Sequence, residues 1–276
     1  MNHLKYSLLS DKGNVREMNE DYTKSLKVSE NAHLFLLADG MGGHNKGEVA
    51  SELAVESVVE YFQRHREIIS NLHQKTDLPK IQEFIKRAII FSNERVNKES
   101  LKEDQHGMGT TLVLSYLTKE FVVIANIGDS RAYLYCDNSF EQVTNDNSYV
   151  QELVKLGVIS NEEARNHEKK NIVTRAIGTE SGVEIDFYNF EIKEKDVLLM
   201  CSDGLTNMLK DFEIKERDNY IHALELLKQI FTVWNSEKNQ RLKLQQAYLI
   251  LAIIGLVVAG LSTLFSVSSA HLAASF

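Results

Sequence analysis

Cysteine and proline are scarce in this chain of 276 residues, and basic charge is in deficit. The two cysteines, Cys136 and Cys201, each stand in an apolar run of strand character, which argues against a disulfide framework and makes a reducing compartment the default. The single proline, Pro79, falls in a polar stretch read as the connection between two helices. Lysine and arginine total 31 against 39 aspartate and glutamate, a formal net charge of −8. A body that binds polyanions is therefore disfavoured and no nucleic-acid partner is expected, whereas acidic clusters that hold cations are compatible with this balance. Residues 1–13 lack the apolar core of a signal peptide, and no internal repeat or low-complexity run occurs. With 43% hydrophobic and 25% charged residues, the composition is that of a globular protein, and the length suits one catalytic domain with an appendage.

Charge is missing altogether from residues 247–276. Within that run, residues 248–267 would as a helix span the hydrocarbon core of about 30 Å at roughly 1.5 Å per residue. The expectation is one C-terminal transmembrane helix that places the protein in the cell membrane through residues 248–267. Lys238, Arg241 and Lys243 precede the span and no Lys or Arg follows it, so the positive-inside rule leaves the large domain in the cytoplasm. Ahead of the span, Tyr220, Leu224, Leu227, Phe231 and Trp234 recur at alternating steps of four and three and line one face of a helix over 218–246. Two heptads are too few to establish a coiled coil, so packing on its own domain or on the membrane surface is preferred to a dimerising stalk.

In the globular part, the run 34–38 ends at Asp39 and a glycine-rich stretch, and Ala50, Leu53, Ala54, Val58, Tyr61 and Phe62 then mark the buried face of a helix. Ile81, Phe84, Ile85, Ala88 and Ile89 mark a second helix. From Thr110 the runs TLVLSYL, FVVIANI and RAYLYC, rich in branched and aromatic residues and separated by short turns, predict an antiparallel meander. Val150, Leu153 and Val154, the stop at Gly157, and Ser160 with Glu163 as a capping box predict a helix–turn–helix insertion. Residues 183–190 and 196–201 return to strand. Strands and helices grouped in blocks give an α+β fold rather than a doubly wound parallel sheet.

Four patches put carboxylates beside glycine or small polar residues at strand ends: Glu20 with Asp21, Asp39 with Gly40, Asp129 in GDSR and Asp203 in SDGL. Hard divalent cations take oxygen ligands of this kind. A carboxylate at a strand end is fixed by the sheet behind it, and a following glycine lets a backbone carbonyl approach the same ion. Any one patch is an ordinary turn; the joint occurrence is the signal.

VREMNED (15–21), LLADGMGGHNKGEVAS (36–51), GTT (109–111), GDSRAY (128–133) and CSDGLTNML (201–209) together resemble, in order, the motifs of the metal-dependent protein phosphatases, the type 2C serine/threonine family, in its bacterial branch. The resemblance runs over about 7–214. It implies a four-layer α-β-β-α sandwich of antiparallel sheets flanked by helices, with two Mn²⁺ or Mg²⁺ ions at one end and a possible third. On this likeness Asp39 would bridge both ions, Glu20 and the Gly40 carbonyl would serve one, Asp203 the other, and Asp21 would hold metal-bound waters. Asp129 with Asp203 would form the third, weaker site. Arg16 would grip the substrate phosphate as a bidentate fork. A hydroxide shared by the two ions would attack phosphorus, and His44 would protonate the leaving serine or threonine. Residues 145–178 match a mobile flap. The implied partners are phosphorylated proteins, substrates of a bacterial serine/threonine kinase.

The resemblance has a gap. The family's later Gly-Gly-x-Asp-Asn segment, whose aspartate completes the first metal site, has no recognisable counterpart here. Asp218 and Asn219 form an Asp-Asn pair without the glycines, and Asp218 is read as the cap of the following helix in preference to a replacement for the missing ligand. Asn147 and Glu168 stand where the bacterial branch often has histidine and proline. The expected division is a C-terminally incomplete phosphatase domain over 1–217, an amphipathic helix over 218–246 and the anchor over 247–276. A membrane-anchored pseudophosphatase that binds phosphoprotein or regulates a membrane partner without turnover is the second reading.

Overall fold

The computed structural model describes residues 4–13, 16–42, 46–102, 106–137 and 139–216. The chain divides after Lys215 into two units. The second lies almost wholly outside the described residues, and with it the expected helix over 218–246, Asp218 and the span 248–267. Among the described residues no helix is long and apolar enough to cross a membrane.

Two antiparallel sheets carry the fold. The larger runs β1 (Asp21–Lys27), β2 (Ala32–Met41), β4 (Leu112–Thr118), β5 (Phe121–Ile127) and β8 (Asp186–Glu191), with the two-residue β3 (Gly109–Thr110) pairing to the end of β2. The smaller is β7 (Ser139–Gln142), β6 (Arg131–Cys136) and β9 (Val197–Cys201) in that order. Strand periodicity decides the layers. On β2, β4 and β5, Leu34, Leu36, Leu114, Tyr116, Val123 and Ala125 pack toward the helices, while Val113, Val122 and Ile124 pack with Ala132, Leu198 and Met200 of the small sheet. These central strands are buried on both faces and hence read as continuous apolar runs.

The helical layer is α1 (Lys46–Arg64) and α3 (Leu78–Ser100), joined through the short α2 (Arg66–Ile69) and a 3₁₀ turn at Lys75–Asp77. Ala50, Ala54, Val58 and Phe62 of α1 and Ile81, Ile85, Ala88 and Ile89 of α3 are buried against the large sheet, as the 3.6-residue spacing requires. The described residues therefore build helix, sheet and sheet, three of the four expected layers. Pro79 corrects the sequence reading: it sits in the first turn of α3, where its missing N–H costs no helical hydrogen bond. The strand expected from 183 starts only at Asp186.

The insertion holds α4 (Tyr149–Lys155) and α5 (Asn161–Asn166). Gly157 has φ +70, the left-handed stop that glycine permits, and Ser160 with Glu163 forms the reciprocal capping box. After β9 come α6 (Asp203–Thr206) and α7 (Asp211–Glu216). Both cysteines are free; burial pushes the Cys201 thiol up to about 12, which leaves it unreactive.

Candidate active site

The site lies where strands of both sheets end. Asp21 opens β1 and pairs with Asp39 near the end of β2, so the register alone sets two carboxylates side by side. Asp203, at the start of α6, follows β9, and Asp129 lies in the turn between β5 and β6. The Asp39 carboxyl lies close enough to Asp21, Asp203 and Asp129 for all three to act on it by charge. The sequence-predicted Asp21, Asp39, Asp129 and Asp203 thus come together from four separate segments.

Electrostatics records the crowding. The Asp39 carboxyl is pushed up to about 9, first by burial and then by the charges of Asp21, Asp203 and Asp129. Burial likewise raises Asp21, opposed by its bond to Ser202. Asp129 is raised to about 6 by burial and by Asp203 and Asp146. Carboxylates packed together share protons unless cations neutralise them. Nearby guanidinium groups are engaged elsewhere: Arg16 Nη1 meets Glu20 Oε2 at 2.7 Å, and Arg131 grips Asp146 through Nε and Nη2 at 2.7–3.1 Å.

Divalent cations fit this donor set. Hard carboxylate oxygens without a counter-charge of their own are what Mn²⁺ and Mg²⁺ bind. Among the described residues no three His, Cys, Asp or Glu side chains are already preset around one point; Asp21 is turned to Ser202, Asp203 to Asn207 and Glu20 to Arg16. Gly40 is buried and donates its N–H to the Glu20 carbonyl at 3.0 Å. Arg16 is exposed, with 64% of its side chain accessible, and stands within reach of an incoming anion. His44 lies outside the described residues.

Several residues that the sequence left without a role hold the row in place. Asp39 is clamped by the GTT segment: its N–H donates to Thr111 Oγ1 at 2.9 Å, and its carbonyl accepts from Thr111 N–H at 2.9 Å and Thr110 Oγ1 at 2.8 Å. Ser202 Oγ donates to Asp21 Oδ2 at 2.7 Å, and Asn207 Nδ2 to Asp203 Oδ2 at 2.9 Å. Asn147 is buried at the root of the insertion, where its Oδ1 accepts from Gly128 N–H at 3.0 Å, its N–H donates to Gly128 O at 2.8 Å, and its Nδ2 donates to Asp186 at 2.8 Å. The insertion is tied at its base to the turn that carries Asp129. A cavity of about 500 Å³ opens beside the row, with Asp129 and Asp203 among its lining and Arg165, Lys170 and Lys210 on the side of the insertion and α6–α7.

Two antiparallel sheets under a helical layer, with aspartates gathered at their ends, frame a donor set suited to divalent cations. The chain belongs to the protein phosphatase 2C family, whose model matches residues 14–247. It is 41% identical over 208 residues to the Serine/threonine phosphatase stp of Listeria welshimeri, covering 75% of this chain and 80% of that one. Among solved structures it resembles the serine/threonine phosphatase Stp1 of Staphylococcus aureus, with a TM-score of 0.68 and 36% identity over 75% of this chain and 79% of that one. It also resembles the catalytic domain of the serine/threonine protein phosphatase PstP in complex with two manganese ions, with a TM-score of 0.62 and 33% identity over 75% and 81% of the chains. The protein is a Mn²⁺- or Mg²⁺-dependent protein serine/threonine phosphatase; the pseudophosphatase reading is not favoured. The family match includes Asp218 and Asn219, which lie outside the described residues.

Proposed function

We propose that this phosphatase is tethered to the membrane with its catalytic domain in the cytoplasm, where it removes phosphate from proteins phosphorylated by a bacterial serine/threonine kinase. The observation that carries the site assignment is the convergence of Asp21, register-paired with Asp39, and of Asp203 and Asp129 on the Asp39 carboxyl. In this reading Asp39 would be a donor to both cations, Glu20 and the Gly40 carbonyl would serve one, Asp203 would serve the other, and Asp21, held by Ser202, would orient water. Asp129 with Asp203 would hold a third ion more weakly. When bound, the cations acidify water and neutralise charge on the phosphoryl oxygens. Arg16 binds the substrate phosphate, exchanging its contact with Glu20 for the anion, and His44 supplies the proton to the departing hydroxyl. Thr110 and Thr111 keep Asp39 from moving as charge changes around it.

For the tether, the support is the charge-free run 247–276, which begins where the family match ends. The amphipathic residues 218–246 join it to the domain over 1–217. Expression of the full chain in a bacterium and carbonate washing of the membranes test this. The protein is expected to stay in the pellet with its catalytic domain shielded from external protease in intact spheroplasts; release by carbonate would refute the tether. For the donors, Asp39→Asn should abolish the calorimetric signal of Mn²⁺ binding, and an unaltered signal would refute the assignment.

A further inference from the structure

The first turn of α1 lies against the site through a contact between two glycines. A Cβ added to Gly40 would stand 2.7 Å from the Gly47 Cα and nearer still to its carbonyl. A Cβ added to Gly47 would stand 2.8 Å from both the carbonyl carbon and oxygen of Gly40, and closer yet to Glu20 Oε1. Side-chain carbons do not occupy such separations, and two of the three obstacles are backbone that cannot rotate away. Both glycines are buried. The backbone of Gly47 is not left-handed, and it lies inside a helix, where alanine is by propensity the better residue. Conformational freedom is therefore not what the position requires. It requires the absence of a side chain.

What the bare Cα faces gives it a role. Gly40 N–H is bonded to the Glu20 carbonyl, so Glu20, Gly40 and Gly47 form one backbone stack. Arg16 engages Oε2 of Glu20, and Oε1 is the oxygen packed on Gly47. We propose that Gly47 is a positioning residue for the divalent-cation site, its missing side chain fixing where the Glu20 carboxylate and the Gly40 carbonyl stand. This rests on the assignment of Glu20 and Gly40 as cation donors. Gly47 touches no substrate; it acts through those two donors, and oxygen ligands displaced by even a few tenths of an ångström bind a small, strictly coordinated cation less well.

The test is Mn²⁺ calorimetry on the full chain in detergent, with the metal-free melting temperature as a control for folding. Gly47→Ala is expected to weaken Mn²⁺ binding by about tenfold and to lower the metal-free melting temperature, because the new methyl group also meets the Gly40 backbone. Glu20→Asp, which draws the carboxylate back from the new methyl group, should weaken binding in the parent chain yet strengthen it in the Gly47→Ala background. That reversal of sign is not expected of general destabilisation. Parental Mn²⁺ affinity in Gly47→Ala, or a Glu20→Asp effect of the same sign in both backgrounds, overturns the proposal. If Gly47→Ala does not fold, rescue of folding by Glu20→Asp is the expected result, and a double variant that also fails to fold overturns it. Asp39→Asn separates the two levels: loss of binding there beside parental binding in Gly47→Ala rejects the role of Gly47 alone, whereas parental binding in Asp39→Asn rejects the donor assignment and the proposal with it.

Discussion

Replacing Asp39 by asparagine should stabilise the metal-free protein while destroying its function. The folded chain holds the Asp39 carboxyl at about 9, against 3.8 as its ordinary value. A carboxyl raised in this way binds more protons folded than unfolded, so its contribution to stability falls as pH climbs through the interval between the two values and recovers as pH drops. For one proton the slope is at most about 1.4 kcal/mol per pH unit, which sets a ceiling near 5 kcal/mol at about pH 7.5. Asp39 is half-buried and solvent screens part of the charge around it, so about 2 kcal/mol is the working figure. Asparagine keeps the shape and removes the charge. In a domain of this size that should raise the metal-free melting temperature by about 4–8 °C at neutral pH, with the gain shrinking toward about pH 4.5. Differential scanning calorimetry in chelator across that range measures it, and the same scans with Mn²⁺ should show the parent stabilised and the variant unmoved. A variant less stable than the parent at neutral pH, or one still stabilised by Mn²⁺, would refute the reasoning.

Other consequences follow from the supporting contacts. Arg131→Met leaves the buried Asp146 carboxylate without its bidentate partner and should cost about 3 kcal/mol, read as a drop in chemical-denaturation midpoint. Thr111→Val removes the hydroxyl that accepts the Asp39 N–H and bonds Ser130; a loss of about 1–3 kcal/mol and weaker Mn²⁺ binding by calorimetry are expected. Arg16→Ala, at an exposed side chain, should leave melting unchanged and raise KM for a phosphopeptide by about tenfold with kcat less affected.

The elements legible in the sequence were those announced by local chemistry. β4, β5 and β6 are dense in branched and aromatic residues, α1 and α3 carry their apolar stripe, and Gly157 with the Ser160–Glu163 box punctuates the insertion at short range. β1 is faint in the sequence because DYTKSLK is half-buried along most of its length and has little apolar content to reveal it. β3 is two residues long and exists only because the GTT segment closes on Asp39. The four aspartates are legible because carboxylates at strand ends, three of them next to a glycine, form a recurring pattern. Thr111 and Ser202 could not, since their partners Asp39 and Asp21 stand 72 and 181 residues away, and a hydroxyl carries no sign of which distant group it will hold. The glycine of Gly47 was visible within its motif, but its purpose depends on Gly40 and Glu20 meeting the start of α1.

The central claim is that the aspartate row hydrolyses phosphoprotein only through divalent cations. The direct measurement is turnover of a phosphothreonine peptide by the full chain after exhaustive chelation, followed by Mn²⁺ titration, alongside Asp39→Asn. The account predicts no turnover in chelator, saturable recovery with Mn²⁺, and none at any Mn²⁺ concentration for Asp39→Asn. Turnover that survives chelation, or that persists at the parental rate in Asp39→Asn, would contradict it.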